Sequence, residues 1–331
     1  STGLTMRRMD HRTLPTPNPA AATGAIAATG VAYGFAALFA RRLTDSGLSP
    51  VSVAFFRFAL VALVLLPWFP TRRSARRAVV WGVASGAVMS LGWIAYVDGI
   101  ARGDAALAGV AYMTYPLFSL VALAVIFRHR LNGRQVAGGL AVLAAAAVAL
   151  SADAAGGGLP VTTLAAPATF GFSIAVLTER LGTLAPPERL STVAFGASMA
   201  LLPFVLVLPA DAVVPGGAGD WARVLGLAVG AALVPMLVYS AAAPVIGAAR
   251  SAVAGGTELP TVLLIGAVVL DEVLTTRHLL AALLVGVAIV LTPVTRGSHV
   301  LPDTDDVDPL APARSDPAPA LRPRRLRRLT A

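Results

Sequence analysis

Ten apolar stretches constrain this chain more than any other feature, each close to the roughly 20 residues a helix needs to cross a bilayer. They lie near 22–40, 51–69, 79–100, 105–127, 135–152, 161–178, 192–209, 224–243, 251–270 and 278–294. Their connections are short and hold helix breakers such as Gly47 and Pro50, Asn132-Gly133, Gly156-Gly157-Gly158 and Pro186-Pro187. The pattern predicts an all-α membrane protein with ten transmembrane helices. Only 13% of residues are charged, against about a quarter in an ordinary soluble domain. Aromatic residues make up 6%, so Ala, Val and Leu supply most of the apolar mass. Small side chains suit helices that pack closely in lipid.

Charge sets an orientation. All 26 basic residues are Arg, and all but Arg57 fall between apolar stretches and in the tails rather than forming a nucleic-acid groove. With a cytoplasmic N-terminus, the inner loops carry ten (Arg72, Arg73, Arg76, Arg77, Arg128, Arg130, Arg134, Arg180, Arg189, Arg250). The outer loops carry five: Arg41, Arg42, Arg102, Arg223 and Arg277. The positive-inside bias puts a multi-pass protein in the cell membrane with both termini cytoplasmic. Residues 1–21 and 295–331 lack apolar cores and are expected to be disordered cytoplasmic tails. The first apolar stretch is long enough to span and has no polar cleavage region after it, so it reads as a span rather than a signal peptide. The absence of Cys excludes disulfides and thiolate chemistry, and four His, three of them in loops or tails, argue against a metal site. No cofactor is implied.

The chain repeats itself. Tyr96 and Tyr239 are 143 residues apart, Leu131 and Leu274 also 143, and Pro116 and Pro260 144. Around them, Ala105–Leu140 and Ala248–Leu283 share a plan of small residues, a mid-span proline, an apolar run, a charged turn and a second apolar run. Five spans per half is an odd number, so the halves must insert in opposite senses. The turns agree: Arg128-His129-Arg130 is basic and its counterpart Asp271-Glu272 is acidic. Inverted repeats are a building plan of secondary transporters.

The chain resembles the EamA-type transporters of the drug/metabolite transporter superfamily. The resemblance rests on Gly47-Leu48-Ser49-Pro50 with Phe56-Arg57-Phe58, on Tyr96 and Ala105–Pro116, and on Glu258-Leu259-Pro260 followed by Leu270-Asp271-Glu272-Val273-Leu274-Thr275. Two departures stand out. Leu259 separates Glu258 from Pro260, and Arg128-His129-Arg130 replaces the family's common Gly-Glu-Arg. The resemblance implies two five-helix repeats, 22–152 and 161–294, around a central cavity that opens alternately to each side. Its usual cargo is amino acids, other small metabolites or drugs.

Ionisable groups within spans are costly, about 2.5–3.5 kcal/mol each on insertion scales, and each needs a reason. Arg57 lies about seven residues into the second span, roughly 10 Å deep. It suits a planar cargo anion; the alternative is a structural Arg that pairs with Asp98 or snorkels outward. Glu258, beside Pro260 and after Gly255-Gly256, suits a cargo amine or a proton, or is a buried structural group. All five tyrosines, Tyr33, Tyr96, Tyr112, Tyr115 and Tyr239, fall within spans and form a candidate cavity wall, with core packing or interface anchoring as the alternative. Pro116 and Pro260 are candidate kinks for gating, and Thr114 and Thr257 are placed to satisfy backbone groups the prolines free. Three Gly-x-x-x-Gly pairs, Gly30/Gly34, Gly82/Gly86 and Gly226/Gly230, point to close helix contacts within the bundle.

A secondary transporter exporting small metabolites is the leading reading. No catalytic residue, Walker-type loop or H-E-x-x-H motif is present. A polytopic membrane enzyme and a channel-like protein remain the alternatives. The partners expected are the lipid bilayer and a small-molecule substrate, with no nucleic acid; the chain is a monomer or a homodimer.

Overall fold

The helices begin and end where local chemistry dictates. Asn18 opens the first span, Pro19–Asp45, by accepting the Ala20 N–H at 3.0 Å, with Pro19 at a position where no N–H is needed. Gly47 takes φ +99° just beyond its end, a conformation open to glycine. Two residues on, Ser49 caps the second span, Pro50–Val64, by accepting the Ser52 N–H at 3.1 Å. The computed structural model describes residues 18–103, 105–128, 130, 133–150, 161–246 and 254–291. Both tails, the Gly156-Gly157-Gly158 connection, His129 and the start of the ninth span lie outside the described residues.

The described residues are helical, without strands. The third span is Arg76–Arg102, the fifth Gly133–Leu150, and the sixth Ala165–Arg180 after a 3-10 turn at Val161–Leu164. The seventh is Pro186–Leu206 and the tenth Thr276–Leu291. The eighth runs from Ala218 to Ile246, with a π-helical stretch, Gly226–Leu233, in its middle. The fourth is two helices, Ala105–Tyr112 and Tyr115–Val125, and the ninth continues through Glu258–Val269 after its own break. Among the described residues, five stretches, Pro19–Asp45, Arg73–Arg102, Ala105–Val125, Pro186–Leu206 and Ala218–Ala242, are long and apolar enough to cross a membrane, beside several shorter apolar helices.

Several limits differ from the sequence expectation. The seventh span starts at Pro186, not near 192, because Glu188 turns back to accept the Ala185 N–H at 2.9 Å and so makes a charged first turn favourable. The eighth starts at Ala218, not near 224, where Asp220 and Arg223 pair at 2.6 Å and neutralise each other. The second ends as a helix at Val64; the residues to Trp68 form a short 3-10 turn containing Pro67.

Packing repeats about a pseudo-twofold axis. The first span packs on the eighth and ninth, as the sixth packs on the third and fourth. The second pairs with the seventh, the fifth with the tenth, and the first half of the fourth meets the ninth. The halves are thus interleaved five-span repeats of opposite sense. A Cβ on Gly34 would stand 2.7 Å from Thr261 of the ninth span, and one on Gly171 would stand 2.6 Å from the Tyr115 carbonyl of the fourth. Thr261 and Phe118, which also faces Gly171, are 143 residues apart. Large apolar side chains face outward instead: Leu63, Val125, Leu206 and Leu283 are exposed, as a lipid-facing surface requires.

Candidate functional site

The site is built on two interruptions. The fourth span stops at Tyr112, turns through Met113-Thr114, and restarts at Tyr115; the ninth turns through Gly256-Thr257 and restarts at Glu258. The two turns are 143 residues apart. Pro116 and Pro260 lie in the first turn of each restarting helix, where a missing N–H costs nothing. Thr114 donates its hydroxyl to the Ala111 carbonyl at 2.6 Å, and Thr257 to the Ala254 carbonyl at 3.2 Å, the same bond in each repeat. Thr257 also reaches the Ala27 carbonyl of the first span at 2.7 Å. These hydroxyls therefore serve carbonyls on the N-terminal side of each break. They do not serve the Tyr112 and Gly256 carbonyls that face the prolines; Gly256 instead accepts from Leu259 N–H at 3.3 Å.

Arg57 approaches from the second span. Ala54, Arg57, Phe58 and Val61 are all buried and recur at helical spacing, so the Arg is carried inward with an apolar face. Only 7% of Arg57 is exposed. Its guanidinium lies over the Trp93 ring, 3.9 Å from the centroid, and that ring meets Phe58 edge-on at 6.2 Å. A desolvated cation–π contact of this kind contributes about 2 kcal/mol. The pairing with Asp98 is not formed: Asp98 binds Arg102 one turn along its own helix at 2.8 Å. Outward snorkelling is not adopted either. One guanidinium nitrogen, Nη1, is buried without a hydrogen-bond partner among the described residues.

The other candidates gather around Arg57. Tyr112, Tyr33, Tyr96 and Glu258 lie within its electrostatic reach. Tyr96 packs 5.1 Å from both Trp93 and Tyr112, and Tyr112 lies 6.2 Å from Tyr115 across the break. Tyr33 shares the environment of Glu258, Tyr115 and Tyr239. Tyr239 sits to one side, packed with Ile26 and Ala254, with its ring edge 3.9 Å from where a Cβ on Gly255 would be. The cluster thus holds one cation from the first repeat and one carboxylate from the second, and no ion pair joins them among the described residues.

Sequence reasoning missed two members. Trp93 is one helical turn before Tyr96 and shares its face; that spacing is the available signal. Phe170 closes the wall 5.3 Å from Tyr112 and 4.8 Å from Tyr115, and nothing in the sequence of the sixth span singles it out. No group of three or more potential metal ligands occurs among the described residues.

Two interleaved repeats of opposite sense, with polar side chains set at the breaks of two discontinuous helices, define a membrane transporter. The chain belongs to the EamA-like transporter family, whose model matches residues 22–151 and again 160–293. Fifteen solved chains are similar to it. In one, described as the crystal structure of a protein, the likeness covers 82% of this chain and 96% of that one, with a TM-score of 0.54 and 22% identity; it supports the fold. No protein of curated function matches in sequence.

Proposed function

We propose that this chain is a secondary transporter that exports small metabolites, such as amino acids or drugs, by alternating access through the space between its repeats. The observation that carries this reading is the meeting of Arg57 and Glu258 among tyrosines without an ion pair between them, with Arg57 Nη1 unpartnered. A buried polar group left unpaired costs about 1–3 kcal/mol, and more when charged. A cargo oxyanion received by the Arg57 fork recovers that cost. Glu258 takes a cargo amine or a proton, while Tyr33, Tyr96, Tyr112, Tyr115 and Tyr239 offer hydroxyls and ring faces. Trp93 holds the guanidinium plane. The breaks before Pro116 and Pro260 let the half-helices tilt separately, which is their part in gating.

The Arg count in the loops supports both termini on the cytoplasmic side of the cell membrane. Reconstitution into liposomes, followed by a counterflow screen of amino acids and cationic drugs, tests the reading. Saturable exchange of a small metabolite, lost in Arg57→Ala protein that still folds, is the expected result. Folded protein that exchanges nothing, or a non-saturable flux, overturns it.

A further inference from the structure

A second charged feature lies away from the tyrosine cluster, at the start of the third span. Arg73, Ser74, Arg76, Arg77, Val80 and Trp81 line an open recess of about 450 Å³. Arg73, Arg76, Arg77 and Val80 recur at helical spacing, so the cations form a rim over an apolar step. Val80 and Trp81 lie one turn further into the span, about 5–6 Å deeper. Val80 is 61% exposed, as a lipid-facing residue of a membrane-spanning helix is.

The neighbouring charges do not neutralise this rim. Arg72 is bound through both guanidinium nitrogens to Glu188, with the second contact at 2.9 Å, and Glu188 is fully engaged there and at the Ala185 N–H. Among the described residues, Arg73, Arg76 and Arg77 make no ion pair and no side-chain hydrogen bond. The helix itself starts at Arg76 without a side-chain cap, which leaves amide dipoles pointing the same way as the cations. Arg180, over the Trp81 ring at 5.6 Å, adds a fourth cation at the back. Three mutually repelling guanidinium groups at a water–lipid boundary, above an exposed apolar step, are complementary to an amphipath with an anionic head. The fork geometry suits phosphate oxygens.

We propose that this recess binds an anionic phospholipid, its phosphodiester on Arg73, Arg76 and Arg77 and an acyl chain descending past Val80. The site is independent of the transport reading and holds on whichever side of the membrane the loop lies.

The full chain, delipidated in a neutral detergent, is titrated with phosphatidylglycerol, with phosphatidylcholine of the same acyl chains, and with inorganic phosphate. Melting temperature and retained lipid by native mass spectrometry are the readouts. Phosphatidylglycerol is expected to be retained and to raise the melting temperature, while phosphatidylcholine and phosphate do neither at matched concentration. Each Arg→Gln change lowers the apparent affinity roughly fivefold, so Arg76→Gln with Arg77→Gln lowers it about 25-fold. If that double variant fails to fold, Arg73→Gln alone supplies the test, because Arg72, Arg76 and Arg77 then keep the loop's topogenic charge. Equal shifts with phosphatidylglycerol and phosphatidylcholine, or shifts unchanged in folded variants, overturn the proposal. A shift reproduced by inorganic phosphate overturns it too, since the site would then be one for a free anion.

Discussion

The broken fourth and ninth spans share a backbone and differ in what they present. In each, a threonine at the turn donates back to an alanine carbonyl, at Thr114–Ala111 and Thr257–Ala254. In each, a proline follows within the restarted helix. In each, the chain leaves the second half through a left-handed residue, Arg128 at φ +59° and Asp271 at φ +57°, again 143 residues apart. The side chains diverge. Tyr112 stands just before the first break where the second repeat has Gly255, and Tyr115 stands just after it where the second has Glu258. The span that carries Arg57 is matched by Pro186–Leu206, which has no charged residue beyond Arg189. A duplicated fold needs its turns, caps and prolines twice, because lipid offers the backbone no partner. It does not need its charges twice, and two like charges at one centre would repel.

The strongest test of this division of labour is Arg57→Ala. If one repeat supplies the only cation, its loss leaves the cargo anion unmatched, and counterflow should fall at least about thirtyfold, the lower end for truncating a buried charged partner. Asp98→Ala should leave transport within a few-fold of normal, since Asp98 holds Arg102 and not Arg57. A large Asp98→Ala defect in folded protein would break the assignment of Arg57 to the cluster.

The aromatic difference is the next largest. Tyr112 touches Trp93, Tyr96, Tyr115 and Phe170. Tyr112→Ala should therefore cost about 3 kcal/mol, as for large aromatic truncations in packed interiors. At the matching position a Cβ on Gly255 meets nothing nearer than 3.9 Å among the described residues, so Gly255→Ala should change stability by under about 0.5 kcal/mol. Denaturation of the two variants in mixed micelles gives the comparison. Equal losses would mean that the second break is as tightly filled as the first.

Much of this was legible in the sequence, and the reason is specific. Arg57 and Glu258 stand out because a charge within an apolar run is expensive, and the tyrosines because all five lie in spans. The repeat offset read from Tyr96 and Tyr239 also relates the two breaks and the two left-handed residues. The full interruption of both spans was not legible: a mid-span proline signals a kink, and only the structure shows the helix stopping and restarting. Nor does anything local mark Glu272 as a helix cap, although it accepts the Ala105 and Ala106 N–H groups at 2.7 and 2.9 Å from 167 and 166 residues away. A cap that joins the turn after the ninth span to the start of the fourth depends on tertiary placement, to which periodicity and propensity are blind.

That cap gives an intermediate effect. Glu272→Ala removes the acceptor from two helix N-terminal amides and should cost about 2 kcal/mol, the upper end for a lost N-cap. Glu272→Gln keeps the acceptor geometry for one amide and loses the charge at the positive helix end, so it should cost about half as much. The first repeat has His129 at the corresponding position, so its sequence does not repeat the carboxylate there. A Glu272→Ala protein as stable as the parent would remove this asymmetry.

The smallest effect separates the two left-handed residues themselves. A side chain in this conformation is strained by about 1–2 kcal/mol because Cβ crowds the following carbonyl, and glycine escapes that cost. Arg128 has no local means of relief, whereas Asp is among the few residues whose short polar side chain makes the conformation tolerable. Glycine also gives back part of the gain through the freedom of its unfolded chain. Arg128→Gly should therefore stabilise by about 1 kcal/mol, and Asp271→Gly by only a few tenths of that or not at all. Melting curves of the two variants, recorded in one detergent, decide it. If Asp271→Gly stabilises as much as Arg128→Gly, the strain belongs to the shared backbone turn alone. If only Arg128→Gly does, the acidic turn of the second repeat suits its own geometry, and the basic turn of the first keeps its Arg at a cost in stability.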